Sequence, residues 1–174
     1  SSGAIYFTDP PYGLPEREND ARRELDWFGV YRIETDGKVT LLTKDCDRPN
    51  GIALSPDEKT LYVAQSHGPK PYIFAWDIKD NGSLGPQRVL FDCSELAKKY
   101  PGAPDGLKVD KDGVIFTTGP GGVLVLSPEG NLLGHILTGQ RTANCGWGDD
   151  GSTLYMTADH YICRVKTKTK GAGW

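Results

Sequence analysis

The sequence predicts an all-β chain made of repeated sheet units, the blades of a β-propeller. Three observations support this fold class. Apolar runs of strand length alternate with turns rich in Gly, Pro, Asp and Asn. Helical periodicity is almost absent. Three stretches of the chain also resemble one another, which is the signature of a repeat architecture.

The self-similarity is carried by residues 50–64, 105–118 and 144–157. Each stretch begins with Asn or Asp and continues through a short strand and an Asp-containing turn into an apolar and aromatic strand. Residues 1–8 match the tail of a further copy. Units of roughly 40 to 50 residues with about four strands each are typical of propeller blades.

Two hairpins are predicted from local turn signals. Residues 29–34 and 38–43 flank an Asp-Gly turn, which supplies the positive φ that matches strand twist. Residues 122–126 and 131–136 flank a longer turn that also contains Gly.

Helical signals are limited to residues 93–100, where Ser94 is a candidate cap for a helix of two turns. The charged run 16–27 is expected to form a long surface loop with a helical turn, and long loops in compact domains are often functional.

The chain of 174 residues is expected to form one partial propeller domain, 1–174, of about three and a half to four blades. Propellers typically close with about four to eight blades, and an open ring exposes two sheet edges. We therefore expect that N-terminal blades are missing from this segment or that another chain completes the ring. Self-association that covers the open edges is the alternative.

Composition excludes several classes of function. The 20 Lys and Arg residues are balanced by 23 Asp and Glu residues, so no basic surface for nucleic acid is expected. No apolar stretch approaches the roughly 20 residues of a membrane span. The four cysteines form no CxxC pair, so a zinc site is not expected and buried free thiols are. This pattern leaves the cellular compartment undecided.

The repeats themselves predict a site. In a propeller, equivalent positions on the first strand of successive blades point to the same mouth of the central channel, so Asn50, Asp105 and Asn144 are expected to converge there. Oxygen ligands from several blades suit Ca²⁺ or a similar hard cation. The alternative is that these side chains only satisfy backbone groups at turns and strand ends.

Four residues are candidates for contact with a substrate. Asp9 and Tyr12 belong to a Pro-Pro-Tyr-Gly turn that either shapes a pocket or simply reverses the chain. His67 follows the second strand of a repeat and is expected in a loop at one of the two channel mouths. Asn144 is the fourth candidate, from its position at the start of a repeat.

Segments 8–13, 48–64 and 104–110 resemble the gluconolactonase family, also called the senescence marker protein and luciferin-regenerating enzyme family. The resemblance covers essentially the whole chain, and its specific part is the spacing between the Pro-Asn-Gly and Pro-Asp-Gly triplets. It implies a six-bladed propeller with one divalent cation at the channel mouth. Ca²⁺ is the expected ion, with Zn²⁺, Mg²⁺ and Mn²⁺ as alternatives. Asn50 and Asp105 are the implied ligands. The family's other ligands, a Glu and an Asn, precede this sequence, so an incomplete site is expected.

The activity that the resemblance implies is hydrolysis of a sugar lactone, such as gluconolactone, to its aldonic acid. The cation would polarise the carbonyl oxygen of the lactone. Asp105 is the catalytic candidate, as a ligand that doubles as general base. Two alternatives stay open. One is a non-catalytic propeller that binds a ligand or partner at its channel face, and the other is a related phosphotriester hydrolase.

Overall fold

The computed structural model describes residues 2–174, which form four antiparallel sheets in sequence order. The first sheet contains β1 (Ile5–Asp9), β2 (Gly29–Ile33) and β3 (Val39–Thr43). The second contains β4 (Pro49–Leu54), β5 (Thr60–Gln65), β6 (Tyr72–Asp77) and β7 (Arg88–Asp92). The third contains β8 (Leu107–Val109), β9 (Ile115–Gly119), β10 (Gly122–Leu126) and β11 (Leu132–Leu137). The fourth contains β12 (Thr142–Gly148), β13 (Thr153–Ala158) and β14 (Tyr161–Lys166).

Helical structure is confined to one helical turn and two 3₁₀ turns within residues 2–174. Helix α1 (Ser94–Ala97) is shorter than the predicted segment, and Cys93 is its N-cap residue in place of the predicted Ser94. The 3₁₀ turns are Pro11–Gly13 and Arg17–Asn19, and the second of them lies in the charged loop where a helical turn was expected. No helix in this part of the chain is long and apolar enough to cross a membrane.

The predictions of an all-β chain and of both hairpins are confirmed. Ile33 pairs with Val39 across the first turn, where Gly37 has a φ of +85°. Strands β10 and β11 form the second hairpin. The segment matching the tail of a repeat becomes β1, and Ser1 of that segment lies outside the described residues.

The first strands of the four sheets lie side by side in chain order: β1 contacts β4, β4 contacts β8, and β8 contacts β12. Main-chain hydrogen bonds join β4 to the segment that leads into β8, and that segment to β12. Gly51 N donates to Asp105 O at 3.1 Å, and Gly106 N donates to Ala143 O at 2.9 Å. Polar residues that are far apart in sequence are brought together in this way.

The core consists of three apolar clusters, each lying between two successive sheets. Strand β5 shows how the sequence builds them. Leu61 and Val63 pack toward the first sheet, whereas Tyr62 and Ala64 pack toward the third. This alternation follows from the two-residue period of a strand, and a strand buried on both faces is therefore apolar at every position. Trp76, only 2% exposed, belongs to the cluster between the first and second sheets.

The two outermost sheets each leave one face uncovered within residues 2–174. On the first sheet this face carries Ile5 and Leu41, and Ile5 is 61% exposed. On the fourth sheet it carries Ile162, which is 79% exposed. Each sheet between them has both faces covered by neighbours.

The last residues tie the third and fourth sheets together at the end of β8 remote from Asp105. Ala172 N donates to Val109 O at 3.0 Å, and Gly171 N donates to Gly151 O at 3.0 Å. These bonds satisfy backbone groups that neither sheet pairs by itself.

Candidate functional site

Asn50 and Asp105 line one cavity of about 680 Å³. Asn50 is the second residue of β4, and Asp105 lies two residues before β8, so adjacent first strands position the pair. Tyr12 and Ser66 also line the cavity, from the first 3₁₀ turn and from the end of β5. Four further charged residues line it: Arg17, Arg48, Arg141 and Asp159.

The glycine that follows each polar residue is required by the close approach of these strands. A Cβ atom at Gly51 would collide with the main-chain oxygen of Asp105. A Cβ atom at Gly106 would collide with the Asn144 side chain. In the Asn-Gly and Asp-Gly pairs of the repeats, the first residue therefore belongs to the candidate site. The glycine that follows lies where two strands approach too closely for a side chain.

Ser66 determines the orientation of the Asn50 amide. Its hydroxyl donates to Pro104 O, which can only accept, so the Ser66 oxygen must itself accept from Asn50. The Asn50 Nδ2 group makes that bond at 2.9 Å. Within residues 2–174, Asn50 Oδ1 makes no hydrogen bond and is left as an acceptor at the cavity.

Asp105 is a half-buried carboxyl group without an ion pair in the described part of the chain. Burial raises its pKa to about 6, and a hydrogen bond from the Asn50 side chain offsets part of this effect. A raised carboxyl pKa in a cavity marks a candidate functional residue, because the charged form lacks solvation or a counter-ion.

Tyr12 lies at the edge of the same site. Its hydroxyl donates to Ser66 O at a long 3.4 Å. Burial raises the pKa of Tyr12, while Ser66 and Arg48 oppose that change. The turn thus brings the ring to the cavity that contains Asp105, which also acts on the Tyr12 pKa.

Asp9 and His67 lie away from this cavity. Asp9 is the exposed last residue of β1, opposite Gly29, and borders a separate cavity beside Trp27. His67 borders a third cavity beside Cys46, with a buried Nδ1 that has no hydrogen-bond partner in residues 2–174. The candidate substrate contacts of the sequence are therefore divided among different cavities.

Asn144 lies next to the cavity that contains Asp105, at the start of the fourth sheet. Its Oδ1 accepts a hydrogen bond from Cys145 N at 2.9 Å and contacts Gly106. Its neighbours Thr142 and Ala143 line the cavity. In this arrangement the Asn144 amide oxygen serves the local backbone.

Ser66 and the arginines were not among the residues that the sequence pointed to. A signal for Ser66 existed in the strand pairing, because Pro49 lies opposite Gln65 and Ser66 N donates to Arg48 O at 3.0 Å. This pairing places Ser66 opposite Arg48, and the irregularity in β4 between Pro49 and Ile52 brings the Asn50 side chain to it. No comparable signal marks Arg141, whose position depends on how two sheets pack.

Asn50 Oδ1 and the Asp105 carboxylate are hard oxygen donors, the kind that Ca²⁺ and Mg²⁺ prefer. They are two donors, whereas calcium takes about six to eight oxygen ligands. Residues 2–174 contain no group of three or more His, Cys, Asp or Glu side chains placed to hold a metal ion. The pair fits part of a hard-cation site, and an uncompensated carboxylate is its strongest feature.

The model of the SMP-30/Gluconolactonase/LRE-like region matches residues 1–160 of this chain. A gluconolactonase from Zymomonas mobilis is 42% identical over 177 residues, which cover 98% of this chain and 49% of that protein. A pentonolactonase from Haloferax volcanii is 29% identical, over 74% of this chain and 44% of its own length.

Solved structures show the same relationship. A gluconolactonase from Xanthomonas campestris superimposes with a TM-score of 0.80 at 37% identity, covering 95% of this chain and 54% of that one. Regucalcin from Agrobacterium tumefaciens, a calcium-binding protein, shares the fold with a TM-score of 0.73 at 21% identity, covering 99% of this chain and 60% of that one. The chain thus spans about half the length of the curated relatives it matches, 49% of the first of them.

Proposed function

The chain belongs to the SMP-30/gluconolactonase/LRE-like family, and on this premise we propose that its protein hydrolyses a sugar lactone to the aldonic acid. The observation that carries the proposal is the Asn50–Asp105 pair, held in one cavity by two adjacent first strands. Relatives named for lactone hydrolysis support the reaction class. The volume of about 680 Å³ is in the range of small-molecule sites.

We further propose that residues 1–174 contribute about four blades of a six-bladed propeller. The uncovered faces of the first and fourth sheets support this, because Ile5 and Ile162 need apolar neighbours that further blades would supply. The remaining wall of the cavity would come from those blades. Where they reside, on the same chain or on another, determines whether the protein acts as a monomer.

In this proposal Asn50 and Asp105 hold a divalent cation, with calcium as the first choice. The calcium-binding protein regucalcin, which shares the fold, and the hard oxygen donors of the pair support that choice. A divalent cation, when bound, supplies Lewis-acid polarisation of a carbonyl oxygen. Ser66 holds the Asn50 amide with its oxygen directed away from the Ser66 hydroxyl.

Asp105 also has the properties of a general base for the attacking water. Its carboxylate is half-buried and has no ion pair among residues 2–174, and its pKa is raised to about 6. A base with a pKa near the working pH accepts a proton efficiently and releases it again. Binding of a cation would lower that pKa, so the proton transfer and the ligand role compete at the same group.

The test uses the full-length protein in a proton-release assay with glucono-1,5-lactone. We expect turnover that disappears in EDTA and returns with Ca²⁺. Asp105→Ala should reduce kcat/KM at least 100-fold. Asp112 is an exposed carboxylate paired with Lys111, so the control Asp112→Ala should change kcat/KM less than twofold. Full activity of Asp105→Ala would refute the proposed role. Faster hydrolysis of an organophosphate triester than of the lactone would assign the protein to the phosphotriesterases instead.

A further inference from the structure

The lining of the cavity combines cationic and anionic side chains on a chain whose net charge is −3. Three arginines line it, against the two carboxylates of Asp105 and Asp159. The arginines come from three different segments: the charged loop, the approach to β4 and the approach to β12. Their convergence is a product of the tertiary fold, since nothing in the local sequence clusters them.

Two of these guanidinium groups belong to exposed side chains that have no hydrogen-bond or ion-pair partner in the described part of the chain. Arg17 and Arg141 make no side-chain hydrogen bond or ion pair within residues 2–174. Arg48 differs, because its Nε donates to Glu18, which compensates its charge and holds it in place. The only other acidic group on the lining, Asp159, is half-exposed and lies 3.8 Å from His160.

Both unpaired arginines are positioned by backbone structure. Arg141 is two residues from Ala143, whose carbonyl accepts from the amide next to Asp105, so the chain brings Arg141 to the Asp105 side of the cavity. Arg17 has a φ of +49°, a left-handed conformation that a non-glycine residue adopts at a cost of about 1 kcal/mol. Its charge favours the ionised Tyr12 phenol in the adjoining turn and so opposes the rise of the Tyr12 pKa.

A planar guanidinium without a protein partner is suited to binding a phosphate or carboxylate through two parallel hydrogen bonds. We propose that the lactone accepted by this site carries a second, anionic group remote from its ring ester, and that Arg141, assisted by Arg17, binds that group. The inference rests on the proposed function, because it assigns the substrate class of the same cavity. The Asn50–Asp105 pair would face the ester, and the arginines the anionic end.

The experiment compares two lactones that differ only in a terminal phosphate, glucono-1,5-lactone and 6-phosphoglucono-1,5-lactone. The full-length protein is assayed as wild type, Arg141→Gln, Arg141→Lys and the control Arg88→Gln. Arg88 pairs with Asp77 on an outer strand, so its variant removes an equal charge away from the cavity. Arg141 contacts no partner within residues 2–174, and its loss should leave folding intact.

We expect the wild type to prefer the phosphorylated lactone at least 10-fold in kcat/KM, and less so at high salt. Arg141→Gln should reduce kcat/KM for that lactone about 10-fold and change the neutral lactone less than twofold. Arg141→Lys should retain part of the preference, since lysine keeps the charge but cannot make the two parallel hydrogen bonds of a guanidinium group. Arg88→Gln should behave as wild type. Equal rates on both lactones, or equal losses in Arg141→Gln, would overturn the inference while leaving lactone hydrolysis established.

Calorimetric binding of 6-phosphogluconate and gluconate provides a readout that needs no turnover. Arg141→Gln should weaken 6-phosphogluconate binding about 10-fold and leave gluconate unchanged. Equal weakening of both acids would mean that the arginine binds the carboxylate they share, and would refute the inference. If neither lactone is hydrolysed but Arg141 is still needed for 6-phosphogluconate alone, the proposed function fails and the recognition of an anionic group stands.

Discussion

The Nδ2 group of Asn50 donates to Ser66 Oγ at 2.9 Å, and the Ser66 hydroxyl in turn donates to the carbonyl immediately before Asp105. One serine therefore connects both residues of the candidate site. It does so across two sheets, since Ser66 follows β5 and Pro104 lies in the approach to β8. The orientation of the amide is a property of this connection and does not depend on a bound ligand.

Ser66→Ala should weaken binding of a divalent cation. The Asn50 amide would lose its acceptor and could rotate, which costs about 1 kcal/mol or roughly 5- to 10-fold in Kd. Calorimetric titration of the full-length protein with Ca²⁺ measures this. Ser55→Ala is the matched control, because Ser55 also makes two hydrogen bonds, in a turn of the same sheet away from the cavity. Similar affinities for wild type and Ser66→Ala would contradict the role assigned to the serine.

Asp105→Asn should increase the stability of the metal-free protein at pH 8 by about 1 kcal/mol, a value discounted for the solvent that reaches the exposed part of the group. The pKa of Asp105 rises from 3.8 to about 6 on folding, so the folded state binds this proton more tightly. The cost of ionising it develops between these values and is complete above pH 6. Urea unfolding in EDTA should show the gain at pH 8 and little difference at pH 4. A loss of stability at pH 8 would contradict the assignment.

Gly51→Ala should destabilise the fold by about 2 kcal/mol or more and weaken cation binding at the same time. The new methyl group would meet the main-chain oxygen of Asp105, and backbone atoms cannot yield as a side chain can. Gly68→Ala provides the control, since a Cβ there has no neighbour within 4 Å, and its effect should stay within about 0.5 kcal/mol. Thermal and urea unfolding of both variants would test the difference. Equal effects would argue against close approach of the first strands.

Three of the four thiols should resist alkylation in the native protein. Burial raises the pKa of Cys46 and of Cys93 to about 12 and that of Cys145 to about 11, so almost no thiolate is present at pH 8. Cys163, on β14, is only partly buried. Brief treatment with iodoacetamide followed by mass spectrometry should show one modification assigned to Cys163, and four after denaturation. Rapid modification of Cys93 would indicate that the second and third sheets separate readily.

The convergence of Asn50 and Asp105 could be predicted from the sequence, because a repeat places equivalent residues at equivalent positions on neighbouring sheets. The same reasoning brought Asn144 close to the cavity but could not show that its amide oxygen bonds to Cys145 N. That bond depends on the bulge in β12 between Thr142 and Asn144, which has no local sequence signature.

Residues in loops were predicted less well. Asp9 and Tyr12 belong to one short turn, yet the chain direction at the end of β1 separates them into different cavities. Arg141 was not predicted, since an arginine before a strand is ordinarily solvated and only the packing of two sheets brings it to the cavity. The repeat pattern therefore predicted the two central residues of the site, Asn50 and Asp105. The residues at the edge of the cavity could be identified only from the tertiary structure.

Two main-chain hydrogen bonds hold the backbone around Asp105 in place, Gly51 N to Asp105 O and Gly106 N to Ala143 O. These bonds do not involve the arginine side chains at the edge of the cavity. Mutations at the exposed positions Arg17 and Arg141 can therefore accumulate without displacing the two central residues. A protein built in this way can acquire a new substrate by a few surface changes at little cost in stability, which gives its lineage an easy route to diversification.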